Sequence, residues 1–566
     1  MGQEDRTHRW DPSAAPEQVR DALLGSGKPF ELVEEDVLGV PTTVFKNRPS
    51  NLRAVLEAAT TNMADTEYLV LPDQTLTFAS VGASAARIAD YLATEHGVVK
   101  GDRVAIAAAN VPAYPVAWWS TISLGAVVAG LNGWWTPAEL AYGVELSRPR
   151  VILADKPRMD RLREAELPDD VPIVDLADLE RFLGPPTAGD PPMPDVAIDE
   201  DDPITILFTS GTTGRPKGAV LSHRIYVHCP MAAMLNGAIG AMTSPSASSG
   251  QTTMILTGPL FHVSGCLPLA MSPFIGSRVV LPPVGAWDEE THLRLTEEYN
   301  VSGWSCVPTQ LWRLLEHPGL DTYDLSSVQT IGGGGAVYSP ELFRTIAGKL
   351  PHARIGCGYG MSETLGSGTR LGGMLVSTHP ASVGTVEPLC EVQIRDEDGS
   401  VLLDDKVGEI CIRGPVVFLG YQDDPEATAK ALDDERWYRT GDFGRFVDGV
   451  LYLESRMRDM IIRGGENIYP IEIENRLVEH PDIAEACVVG VDHKILGQEV
   501  AAVIVPHEGA AIEPDAVRAW VSAALASYKV PAHVVYRNEL PYNATGKVVK
   551  HEVETDVARE LATSAA

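Results

Sequence analysis

The sequence predicts an α/β protein with a large N-terminal part and a smaller α/β unit at its C-terminal end, and three observations carry that reading. Short apolar runs at 103–109, 127–131, 151–153 and 173–174 alternate with helical stretches, the pattern of strands linked by crossover helices. Between Val104 and Ala138 there is no charged side chain, as expected where a strand and its helix are covered on all sides. The chain of 566 residues is too long for one core, and its composition shifts near residue 458, where a compact unit of roughly a hundred residues begins.

Residues 1–50 are polar, contain several prolines and show no period, so a partly ordered extension is expected there. Helices are predicted at 51–64 and 80–95, the second with Val81, Ala85, Ile88, Ala89 and Leu92 on one face. The charge-free stretch 104–138 has the length of a membrane span. Asn110, Pro112, Pro115, Ser120, Thr121, Ser123 and Asn132 interrupt it, which favours a buried core and no transmembrane segment. A Pro/Gly-rich surface connection is expected at 184–194.

The run 204–208 reads as a buried strand that leads into Phe-Thr-Ser-Gly-Thr-Thr-Gly-Arg-Pro-Lys-Gly-Ala at 208–219. Three glycines (Gly211, Gly214, Gly218) and four hydroxyls (Thr209, Ser210, Thr212, Thr213) surround Lys217. A strand ending in such a loop can turn several N–H groups to one point, and that concave set of donors suits a polyphosphate. Glycine allows close backbone approach and lysine adds a point charge. The loop is not a Walker A motif, because Lys217 follows Pro216 and precedes Gly218.

A further strand is expected at 254–256, before Leu260-Phe261-His262. A glycine run, Gly332 to Gly335, follows Ile331, where missing side chains let a flat ligand lie against backbone. Beyond 458 the pattern gives a helix at 471–480, strands at 486–491 and 500–505, and a helix at 514–526.

Net charge is −32, which argues against non-specific attraction to nucleic acid or anionic lipid. The seven cysteines (Cys229, Cys266, Cys306, Cys357, Cys390, Cys411, Cys487) are scattered and never spaced Cys-x-x-Cys. Neither a disulfide framework nor a zinc site is expected, and a reducing cytoplasm fits best. The N-terminus shows no signal-peptide core, and Arg6 stands where a myristoylation motif wants Ser or Thr.

The segment Ser-Gly-Thr-Thr-Gly-Arg-Pro-Lys-Gly resembles the phosphate-loop signature of the ANL superfamily of adenylate-forming enzymes, which includes acyl-CoA synthetases, peptide-synthetase adenylation domains and luciferases. Further segments follow in the family's order: Leu260-Phe261-His262, the glycine run, Tyr359-Gly360-Met361-Ser362-Glu363, Tyr438-Arg439-Thr440-Gly441-Asp442, Ser455-Arg456-Met457-Arg458-Asp459, Gly464-Gly465-Glu466-Asn467-Ile468-Tyr469-Pro470, and a terminal Gly546-Lys547. The resemblance spans about residues 50–555. It implies a multi-layer N-terminal domain, 1–457, a mobile C-terminal domain, 458–566, and a hinge at Arg458.

The same resemblance implies the site residues. ATP and AMP would be bound by Thr209 to Gly214, Lys217, Gly334, Ala336, Gly358, Tyr359, Gly360, Met361 and Ser362. Asp442 would hold the ribose diol, with Arg456 beside it. Lys547, Lys217, His262 and Arg456 would carry the chemistry, and Thr212 with Glu363 would hold Mg²⁺. His262, Cys266, Gly333, Gly334 and Gly360 would line the acyl site, and Gly464, Gly465 and Glu466 would meet CoA. Cys357 departs from the family, where an amide is common, which puts one adenine or substrate hydrogen bond in doubt.

The implied activity is an ATP- and CoA-dependent acid–thiol ligase, with a fatty or other apolar acid expected as substrate. An aryl-acid CoA ligase and a fatty acyl-AMP ligase loading a carrier protein are the alternatives. A nucleotide-binding regulator without chemistry is opposed by the presence of Lys217, Glu363, Asp442, Arg456 and Lys547 together. A homodimer is compatible with the sequence, which carries no direct sign of oligomeric state.

Overall fold

The computed structural model describes residues 6–168, 171–209, 216–243, 250–334, 338–456, 459–463, 466–494, 496–525, 527–543 and 547–564. Among these, the alternating pattern forms two mainly parallel sheets. One runs Gly420–Tyr421, Lys217–Ser222, Pro203–Thr209, Val127–Leu131, Arg103–Ala107, Val151–Ala154, Ile173–Asp175, with its first two junctions antiparallel. The other has nine strands, with Arg354–Tyr359, Thr330–Gly332, Gly303–Ser305 and Thr253–Ile255 at its centre. The charge-free stretch supplies strand Arg103–Ala107, the wholly buried helix Ala113–Ser123 and strand Val127–Leu131. Parallel sheets covered on both faces demand such continuous apolar runs.

Helix Phe78–His96 begins where Thr77 accepts from the Ser80 N–H and ends at Gly97, whose φ of +61° is the left-handed cap glycine supplies readily. The connection at 184–194 is tied down by Arg87, whose guanidinium donates to Asp190 at 2.7 Å and to the Phe182 and Pro185 carbonyls.

The N-terminal lead-in differs from expectation. Leu32–Val37 and Val40–Phe45 form a hairpin closed by Leu38 and Gly39, both at positive φ, and strand His8–Arg9 adds to the sheet at Glu391–Arg395. Phe30 and Phe45 bury themselves against Val227, Met231 and Leu235 of helix His223–Thr243. That helix contains one stretch, His223–Met242, long and apolar enough to cross a membrane by length and composition. Half of the tested stretch is buried inside the protein, and Pro230 interrupts it, as in a core helix.

The C-terminal unit forms its own sheet from Glu466–Ile468, Ile461–Arg463, Gly497–Pro506, Ile483–His493 and His533–Tyr536, with helices Pro470–Val478, Pro514–Ser522 and Lys550–Ser564. Among the described residues, no buried apolar cluster mixes side chains from before and after residues 457–458. Each of the seven cysteines is buried and free.

Candidate active site

Strands Pro203–Thr209 and Lys217–Ser222 pair antiparallel, with Thr209 opposite Lys217, so the two ends of the phosphate-loop segment lie side by side. Ser210, Gly211, Thr212, Thr213 and Gly214 lie outside the described residues. The Tyr142 hydroxyl donates to the Pro216 carbonyl at 3.1 Å, and a Cβ on Gly218 would meet Ile206 at 2.8 Å.

Strand Gly420–Tyr421 lies beside the Lys217 strand, and its tyrosine meets two charges. The Lys217 ammonium sits 4.9 Å from the ring centroid, and the phenol donates to Glu363 Oε1 at 2.9 Å. Glu363 is 6% exposed, and burial pushes its carboxyl above the usual range. Hydrogen bonds from its own backbone, Tyr421 and Tyr438 oppose that, while the charge of nearby Asp442 adds to it.

Asp442, also 6% exposed, accepts from the Tyr359 hydroxyl at 3.0 Å, and its N–H donates to Thr440 Oγ1 at 3.0 Å. In register it faces Arg456 on the next strand; nothing is described of the Arg456 side chain. Glycines shape the wall beside Tyr359. The Gly358 N–H donates to the Gly333 carbonyl at 3.0 Å, and a Cβ on Gly334 would stand 3.2 Å from the Gly358 carbonyl. A Cβ on Gly360 would meet Gly366 backbone at 2.3 Å, and one on Gly333 would meet the Cys306 carbonyl at 2.2 Å. Met361 is partly buried against the core and Ser362 is buried; Gly335 and Ala336 lie outside the described residues.

His262 caps helix Val263–Ile275 by accepting from the Ser264 N–H. Burial first, then the nearby Lys547 ammonium, hold its imidazole down at about 4. The two residues, 285 positions apart in sequence, are thus within electrostatic reach of one another. The Lys547 N–H donates to Asn543 Oδ1 at 3.0 Å. Cys266 is a correction to the expected acyl-site lining. It is 0% exposed within the main core, and its sulfur accepts from the Tyr226 hydroxyl at 3.2 Å, because the helix turns this position inward. Gly464, Gly465 and Arg458 lie outside the described residues, as does the Glu466 side chain.

Two family models match the chain: AMP-binding enzyme over residues 56–422 and AMP-binding enzyme C-terminal domain over 472–547. The chain belongs to the ANL superfamily of adenylate-forming enzymes. It is similar to the indoleacetate–CoA ligase of Aromatoleum aromaticum, 33% identical over 511 residues that cover 86% of this chain and 94% of the relative. It is also similar to a feruloyl-CoA synthase of Amycolatopsis, 32% identical over 489 residues, 84% and 93% of the two chains. Among solved structures, the o-succinylbenzoate CoA synthetase of Bacillus subtilis bound to its acyl-adenylate superposes with a TM-score of 0.76 at 28% identity, covering 88% of this chain and 97% of that one.

For this adenylate-forming enzyme the residues present fit Mg²⁺. Glu363 is a buried carboxylate whose direct partners are neutral phenols, and Mg²⁺ needs only one or two carboxylates besides nucleotide phosphates and water. Among the described residues no cluster of three or more His, Cys, Asp or Glu forms a self-sufficient metal cage. Sequence reasoning passed over Tyr421 and gave Tyr438 no role. The only local signal was Gly420-Tyr421 itself, since the contacts that matter come from strands far away in sequence.

Proposed function

We propose that the chain is an AMP-forming ligase that activates an aromatic carboxylic acid and transfers it to CoA. The observation that carries this reading is the convergence of Lys217, Glu363 and Asp442 through Tyr421, Tyr438 and Tyr359, a cation and two buried carboxylates linked by three phenols. The aromatic class is supported by the substrates named in the two ligases above. This prefers the aryl acid, the sequence's alternative, over the fatty or other apolar acid expected first.

In the first step a substrate carboxylate oxygen attacks the α-phosphorus of ATP, and pyrophosphate leaves. Both reacting groups come from substrates, so the protein contributes position and charge. Lys217 and Lys547 face the developing negative charge, Tyr359 and the glycines seat the adenine, and Asp442 accepts from the ribose hydroxyls. Bound Mg²⁺ would neutralise phosphate charge next to Glu363 and Thr212. The neutral His262 closes the acyl side without adding a competing cation. In the second step the CoA thiolate attacks the acyl carbonyl and AMP leaves. The Lys547 charge is felt at His262, so in this reading the 458–566 unit must rotate about Arg458 to bring Gly464, Gly465 and Glu466 toward CoA.

The test is an acid panel of cinnamic, benzoic and arylacetic acids against C4 to C20 fatty acids, with pyrophosphate release and thioester formation measured separately. The reading predicts the highest kcat/KM with an aromatic acid and CoA. A fatty acid preferred by more than about tenfold, a difference of about 1.4 kcal/mol, would overturn the aromatic assignment. Acyl transfer to a holo-carrier protein and not to CoA would overturn the acceptor.

A further inference from the structure

We infer that Tyr421 is a positioning residue that keeps Lys217 and Glu363 apart, so that each charge stays available to the nucleotide and its metal. This rests on the ligase reading and extends it to a residue with no role in the sequence argument.

Strand register puts the tyrosine there. Ala219 pairs with Tyr421, and Lys217, two residues away, points to the same face of the sheet, where diagonal side chains of this length touch. The backbone around it is fixed from three directions. The Gln422 N–H donates to the Gly218 carbonyl at 2.7 Å, the Tyr421 N–H to Thr428 Oγ1 at 2.9 Å, and the Phe418 N–H to the Glu363 carbonyl at 2.8 Å. Phe418 packs edge-on against the Tyr421 ring at 4.9 Å and against Tyr438 at 5.2 Å. A side chain so over-determined holds whatever it touches.

What it touches are opposite charges. A lysine and a buried carboxylate on neighbouring elements attract one another strongly at low dielectric, and a direct pair would neutralise both. Tyr421 offers the ammonium a neutral ring face and the carboxylate a neutral O–H donor. Each charge is then supported without being cancelled. The phosphates can then meet a cation not paired with Glu363, and the metal a carboxylate held by neutral donors.

The experiment uses the full chain with Tyr421→Phe, which keeps the ring, and Tyr421→Leu, which removes ring and hydroxyl, alongside Glu363→Gln and the Tyr421→Phe/Glu363→Gln double variant. Binding of ATP is measured calorimetrically across a Mg²⁺ series without acid or CoA, with circular dichroism melts on each protein. Tyr421→Phe should raise the Mg²⁺ concentration for half-maximal ATP binding about tenfold or more, the effect of a lost hydrogen bond to a charged group, and hold ATP affinity at saturating Mg²⁺ within about threefold. Tyr421→Leu should also weaken ATP at saturating Mg²⁺ by about tenfold. The double variant should need no more Mg²⁺ than Glu363→Gln alone. An unchanged Mg²⁺ series in Tyr421→Phe, or fully additive losses in the double variant, would overturn the inference. The acid panel judges the ligase reading separately: absence of pyrophosphate release by the wild type would sink that reading, while the binding series would still decide the role of Tyr421.

Discussion

Tyr359 donates its hydroxyl to Asp442 Oδ2 at 3.0 Å, joining the segment expected to seat adenine to the carboxylate expected to hold ribose. The two residues lie on different sheets, Tyr359 on Arg354–Tyr359 and Asp442 on Tyr438–Val447. A carboxylate has two oxygens and about four lone-pair sites, so it can accept from Tyr359 and from a diol together.

Asp442→Ala should therefore weaken ATP binding about 10- to 100-fold, the cost of losing hydrogen bonds to a charged acceptor. The variant should fold, since the described side-chain bond it loses is one hydrogen bond from Tyr359. Asp442→Asn, which can still accept from Tyr359, should lose less. Calorimetric ATP binding and circular dichroism decide it: a folded Asp442→Ala that binds ATP as tightly as wild type removes the ribose role.

Acid should destabilise the protein through three core histidines. Burial holds His223, His228 and His292 down at about 3. The unfolded chain takes up these protons as pH falls through about 6.5, whereas the folded chain refuses them until about 3, so this stability is complete above 6.5 and lost below it. Between pH 6.5 and 5.5 the loss is about 1 kcal/mol for each histidine. Thermal melts should show a midpoint falling by several degrees over that window, with a shallower fall in His228→Gln. A flat midpoint from pH 7 to 5.5 would contradict the assignment.

Much of this was legible in the sequence, and the gaps have physical causes. The strand at 204–208 and the buried stretch 104–138 were readable because a parallel sheet imposes continuous apolar runs on its strands. Leu32–Val37 and Val40–Phe45 were missed because the hairpin is short and half polar, and its buried face acquires meaning only against Met231 and Leu235. Strand His8–Arg9 pairs with Glu391 and Val392, a partnership invisible to any local window. Cys266 stands at a suggestive distance from His262, but helix phase, which spacing alone does not reveal, turns it toward Tyr226. Tyr421 was missed for the converse reason: one tyrosine after one glycine has no pattern, and register with Ala219 creates its role.

The central claim is that one chain runs two half-reactions, with Lys547 serving only the first. The Lys547 ammonium is near enough to His262 to lower its pKa, and it belongs to a unit whose buried clusters are separate from those of the larger domain. The deciding measurement is both half-reactions on purified Lys547→Ala: acid-dependent pyrophosphate release, and thioester formation from preformed acyl-adenylate with CoA. The account predicts that adenylation falls on the order of 10²–10³-fold, the loss typical of one preorganised charge, while thioester formation from the adenylate stays within a few-fold of wild type. Parallel loss in the two assays, in a variant that folds normally, would contradict it.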